Sequence, residues 1–143
     1  MGQKAKTVFE ELIIDKSRIS QYELITSETF TSYGVCQFSF VKSINGFNTN
    51  DTLSIAIDRD GKIKSYTGSR QGIFDNLTVN ADRSDIEKFI DEKVNSRYKN
   101  QTVKYNVNSM TIDKKKNKFY IRCFVGVETE EYITGDEYEY RLK

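Results

Sequence analysis

The densest run of side chains that could do chemistry lies near the C-terminal end: Glu128, Glu130, Glu131, Asp136, Glu137 and Glu139. Two carboxylates with separated pKa values in one cleft can act as general acid and base, so a carboxylate-based hydrolase is one reading of this tract. The other reading follows from its alternation with Tyr132, Tyr138 and Tyr140, which makes it the wet side of a strand pair. The chain has 0 His. That removes Ser-His-Asp and Cys-His hydrolysis and every zinc site that contains His. Cys36 and Cys123 fall on apolar faces of expected strands, where they read as two buried thiols, with a single disulfide as the alternative. Asp58-Arg59-Asp60-Gly61 is too short of ligands for a calcium loop: with Gly61 at the loop glycine, Ala56 and Thr67 stand where the first and last acids belong. Lys114, Lys115, Lys116 and Lys118 form a basic loop without an interleaved aromatic platform, which reads as solvation rather than nucleic-acid contact. No metal or cofactor is expected.

Charge gives no partner either. Lys+Arg 22 against Asp+Glu 21 leaves a net +1, so neither nucleic acid nor an anionic membrane is expected. Nine Phe, nine Tyr and a hydrophobic fraction of 37% suffice for a core. At 143 residues the expectation is one domain, 1–143. No apolar run reaches the roughly 18 residues of a membrane-spanning helix. Met1-Gly2-Gln3-Lys4-Ala5-Lys6 lacks the apolar stretch of a signal peptide, as would an exported protein whose leader has been removed.

These side chains must be positioned mainly by strands. Cys36, Phe38 and Phe40 alternate with Gln37 and Ser39, and Leu53, Ile55 and Ile57 with Ser54, Ala56 and Asp58, the period of half-buried strands. Three strands are expected near 33–43, 51–58 and 61–67, the last two joined at Asp60-Gly61. A short helix is favoured over 5–14, from Ala5, Val8, Phe9 and Leu12, although Leu12-Ile13-Ile14 also reads as strand. Residues 15–32 read as an irregular connection anchored by Tyr22, Leu24, Ile25 and Phe30, and 68–83 as a loop whose Ile73, Phe74, Leu77 and Val79 should tuck onto the core. The surest helix spans 84–99, with Ser84 and Glu87 as a capping box and Ile86, Phe89, Ile90, Val94 and Tyr98 along one face. Three further strands follow near 103–112, 118–127 and 131–142. The expected fold is therefore α+β: an antiparallel sheet of about six strands in two three-stranded meanders, packed on the helix at 84–99, as a tandem α-β-β-β arrangement if 5–14 is helical.

Within the first meander, Phe38-x-Phe40-Val41-x-x-Ile44-x-Gly46, Asp51-x-Leu53-x-Ile55-x-Ile57 and Asp60-Gly61-x-Ile63-x-Ser65-Tyr66 together resemble the middle of PepSY-like domains. These are small α+β modules of exported and lipid-anchored bacterial proteins. The resemblance implies an extracellular or cell-surface accessory domain, a lipoprotein module included, without catalysis and sometimes discussed as binding or restraining peptidases. The matching positions are framework and transfer no functional residue.

The resulting expectation is a non-catalytic binding or accessory domain whose partner is another protein or a peptide. The alternatives are the carboxylate hydrolase and a cytosolic protein-interaction module. Two loops carry aromatics that alternation does not assign to the core, Asn45-Gly46-Phe47 and Arg70-Gln71-Gly72-Ile73-Phe74. A recognition surface is accordingly expected at Phe47, Arg70 and Phe74, with Tyr66 beside them.

Overall fold

The computed structural model describes residues 2–12, 21–24, 34–70 and 72–142. Ile13, Ile14, Ile25, Phe30 and most of the expected irregular connection lie outside them. The chain divides into two compact units, one of residues 1–44 with 49–77, the other of residues 45–48 with 78–143.

The first unit holds α1 (Gly2–Leu12), β1 (Tyr22–Leu24), β2 (Val35–Ile44), most of β3 (Phe47–Asp58) and β4 (Ile63–Ser69). Period-two alternation puts Cys36, Phe38, Phe40, Leu53, Ile55 and Ile57 on one sheet face, where α1 covers them with Ala5, Val8 and Phe9. Phe9 stacks on Phe40 at 4.3 Å between centroids and meets Tyr22 edge-on at 5.3 Å. β1 pairs antiparallel with β2, Tyr22 opposite Lys42, and β4 pairs antiparallel with β3. Residues 59–62 make the β3–β4 turn, closed by the Asp58 amide donating to the Lys62 carbonyl at 2.9 Å. Gly61 sits at φ 81, where a side chain would be strained, and donates to the Asp58 carbonyl. The Asp58 carboxylate accepts the Lys62 and Asp60 amides at 2.8 and 2.9 Å. Those amides, Lys62 first, hold its pKa below the ordinary carboxylate value.

The second unit holds α2 (Arg83–Arg97), β5 (Lys104–Lys115), β6 (Lys118–Glu128) and β7 (Ile133–Arg141). Asn45 and Gly46 both have positive φ, as a two-residue hairpin turn demands, and the Asn45 amide donates to the carbonyls of Val79 and Ala81. Lys116 and Asn117 make the same kind of turn between β5 and β6. Ile86, Ile90 and Val94 form the buried stripe of α2, and Ile112, Ile121, Cys123, Val125 and Val127 are among the buried residues of the strands. The helix cap lies two residues before the expected one. Asp82 accepts the Asp85 amide and the Asp85 carboxylate accepts the Asp82 amide, each at 3.0 Å, while Ser84 donates its hydroxyl to Asp82.

The expected sheet architecture requires correction. Seven strands and two helices are present among the described residues, and the strands are not purely antiparallel, because β3 and β5 are parallel neighbours. The start of β3, Phe47 and Asn48, belongs to the second unit, as does β5. A parallel neighbour needs a long crossover, and here the intervening chain includes β4 and α2, so no local pattern announces it. The α-β-β-β echo also fails, because β1 adds a fourth strand to the first half. Three residues are too few for alternation to be read. No helix is long and apolar enough to cross a membrane among the described residues.

Candidate functional site: an open strand edge above a buried aspartate

β7 is the last strand of the hydrogen-bonded order, with β6 on one side. Their register runs without a break from Ile133 opposite Glu128 to Arg141 opposite Tyr120. The Thr129 amide donates to the Tyr132 carbonyl before the strand, and the Leu142 amide to the Phe119 carbonyl after it, both at 2.9 Å. Antiparallel ladders alternate, so these two bonds fix the parity between them. Even-numbered β7 residues exchange hydrogen bonds with β6. Odd-numbered ones, Ile133, Gly135, Glu137, Glu139 and Arg141, turn their N–H and C=O groups to the other side, where no strand pairs among the described residues.

Side chains of the even set point at α2. Tyr140 meets Phe89 edge-on at 5.2 Å. Asp136, only 5% exposed, accepts the Tyr98 hydroxyl at 2.6 Å and the Tyr138 hydroxyl at 3.0 Å on the same oxygen, with Arg97 Nη1 3.6 Å from the other. This carboxylate pins the C-terminal turn of α2 to the edge strand. The bond to Asp136, then burial, pushes the Tyr98 pKa up to about 12. Burial first, then the same aspartate, raises that of Tyr138.

Side chains of the odd set lie on the opposite face and are drawn inward across it. Arg122 donates Nε and Nη2 to one Glu137 oxygen at 2.9 and 2.7 Å, and Nη1 to Asp113 at 3.2 Å. Lys115 stands 3.7 Å from Glu139. The two acids therefore lie over the sheet rather than across the open edge. A groove of about 600 Å³ wraps this edge, lined by Phe89, Lys93 and Arg97 of α2, by Glu137, Tyr138 and Glu139 of β7, and by Lys115 and Arg122. It carries four cations against two exposed carboxylates. Lys93 lies over the Phe89 ring, 5.5 Å from its centroid, with no carboxylate partner among the described residues.

The acidic tract is divided between the two faces of the strand and the solvated turn before it. Asp136 faces α2, Glu137 and Glu139 are ion-paired on the opposite face, and Glu128, Glu130 and Glu131 are solvated. Among the described residues no cluster of His, Cys, Asp and Glu could hold a metal ion. Both cysteines are free and buried, and burial lifts the Cys123 pKa to about 11.

Comparison with protein-family models, curated proteins and solved structures finds no match to this chain.

The residues expected to form a recognition surface are divided. Phe47 is 2% exposed in the second unit, and Phe74 is 0% exposed in the first. Neither can present its ring to a partner, which corrects that expectation. Phe74 is drawn in because its loop is clipped on both sides: the Gly72 amide donates to Asp51 at 3.0 Å, and Lys42 donates to Asp75 at 2.8 Å. Asp51 also accepts the Tyr22 hydroxyl at 2.6 Å. Phe47 opens β3 rather than standing in a loop. Tyr66 is 59% exposed on β4, and Arg70 is exposed at φ 52 just beyond it.

Sequence reasoning missed the open edge and the burial of Asp136, which it placed on the wet side with the other acids. Both carried a signal: Asp136 shares parity with Tyr138 and Tyr140, the inward set, while Glu137 and Glu139 have the opposite parity.

Proposed function

We propose that this chain is a non-catalytic binding domain that takes an extended segment of another protein on the outer edge of β7. One observation carries the reading: a nine-residue strand with continuous register, no bulge and no proline is left unpaired on one side among the described residues. Such an edge is a template for pairing, and proteins usually blunt it with brevity, proline, lysine or bulges. Here those devices are missing, and the two glutamates that could guard it are neutralised by Arg122 and Lys115. Asp136 is an inward charge that would ordinarily oppose pairing, but Tyr98, Tyr138 and Arg97 already satisfy it.

The PepSY-like segment over residues 38–66 supports an accessory role in an exported or cell-surface bacterial protein. A cytosolic interaction module would use the same edge in another compartment. Selection of random peptides on the immobilised chain tests the binding function. Recovered peptides are expected to lose capture on Gly135→Pro, and enrichment that is indifferent to this substitution overturns the reading. Protease treatment of intact cells that express the gene tests compartment: cleavage of the chain supports export, and full protection contradicts it.

A further inference from the structure

We infer that the segment taken by β7 is acidic at alternate positions, so that its carboxylates face α2. This rests on the edge-binding reading above and goes further by naming the ligand's chemistry. A strand added beyond β7 continues its alternation, so every second side chain lies on the α2 side of the sheet and the rest on the Glu137–Glu139 side. On the α2 side the groove offers the ammonium of Lys93, which among the described residues meets an aromatic ring and no carboxylate, and the guanidinium of Arg97, whose contact with Asp136 is a long 3.6 Å. Phe89 supplies apolar floor between the cations and the strand. On the other side Glu137 and Glu139 already have their cations, so that row calls for neutral residues. The pattern is an extended peptide of the form neutral–acidic–neutral–acidic.

A second copy of the chain is disfavoured on this edge in the two registers that pair the middle of the strand with itself. Antiparallel pairing of β7 with itself, centred on Glu137, sets the two Glu137 side chains opposite each other. Centring on Tyr138 sets Glu137 opposite Glu139. Both place like charges in direct cross-strand contact.

The test is titration of the chain with capped, fluorescein-labelled nine-residue peptides, monitored by anisotropy. One alternates Thr with Glu, one alternates Thr with Lys, and a third is the Glu peptide with alternate amides N-methylated. The Glu peptide is expected to bind about tenfold more tightly than the Lys peptide, two surface charge contacts at most, and Lys93→Glu is expected to reverse that order. N-methylation is expected to abolish saturable binding to the wild-type chain. Gly135→Pro should do the same while leaving the β6 ladder intact, because the Gly135 N–H points outward and a Cβ there meets no atom within 4 Å. Equal affinity for Glu and Lys peptides, with N-methylation still blocking both, would overturn the acidic preference and leave the edge reading standing. Unchanged binding of the N-methylated peptide would overturn both, whatever the folding of the proline variant. A concentration-dependent dimer that Gly135→Pro dissociates would also overturn the proposal, by putting a second copy on the edge.

Discussion

Replacing Asp136 by Asn tests the pin that holds α2 to the edge strand, at nearly unchanged volume. The carboxylate accepts two phenolic hydroxyls on one oxygen, at 2.6 and 3.0 Å, and has Arg97 at 3.6 Å on the other. A hydrogen bond to a charged acceptor contributes about 1.5–3 kcal/mol, and the amide presents only one acceptor oxygen, so Asp136→Asn should cost about 2–4 kcal/mol. Tyr98→Phe removes the shorter bond from a hydroxyl that is nearly buried, and about 1.5–3 kcal/mol is expected. Tyr138→Phe, with a longer bond and a half-buried ring, should cost about 0.5–1.5 kcal/mol. Because Tyr98 and Asp136 share one interaction, the double variant should be less destabilised than the sum by about 1–2 kcal/mol. Urea unfolding of the four proteins, followed by circular dichroism and tyrosine fluorescence, measures this cycle. Additivity within about 0.5 kcal/mol would refute the pin and leave Asp136 as a tolerated buried charge.

Other outcomes follow from the same geometry. Phe47→Ala and Phe74→Ala should each lose about 3–5 kcal/mol in thermal or urea unfolding, as core residues do, and should leave peptide affinity of the folded fraction unchanged. Asp82→Ala should cost about 1 kcal/mol and Ser84→Ala clearly less, since Asp82 is the cap; equal costs in urea unfolding would restore the Ser84 box. Tyr98 and Tyr138 titrate above their unfolded values. Their contribution is therefore complete below pH 10 and lost as pH rises toward 12, and ultraviolet absorbance of tyrosinate should lag that of the urea-unfolded chain over this window.

How much of this was legible in the sequence depended on range. Alternation in Cys36–Phe40, Leu53–Ile57 and Phe119–Val127 located strands because large apolar side chains alternate there with small, polar or less buried ones, and the stripe Ile86, Ile90, Val94 located α2. The cap was displaced because two overlapping patterns, Asp82-x-x-Asp85 and Ser84-x-x-Glu87, compete, and the helix begins at the earlier one. The parallel adjacency of β3 and β5 could not be read from local periodicity, because it depends on how a long crossover returns. The choice between core and recognition surface for Phe47 and Phe74 stayed open for a related reason. A glycine-flanked aromatic looks the same in sequence whether it is exposed or is drawn in by remote clips such as Lys42–Asp75 and Asp51–Gly72. An open edge is the hardest to see, since it is defined by which strand has a neighbour on one side alone.

Amide hydrogen exchange along β7, resolved residue by residue by NMR, tests the open edge most directly. In the free chain the amides of Thr134, Asp136, Tyr138 and Tyr140 should be protected and those of Gly135, Glu137, Glu139 and Arg141 should exchange fast, with the second set becoming protected when the Glu-containing peptide is added. Uniform protection of both sets in the free chain would mean that the edge is already paired, and the account would be wrong.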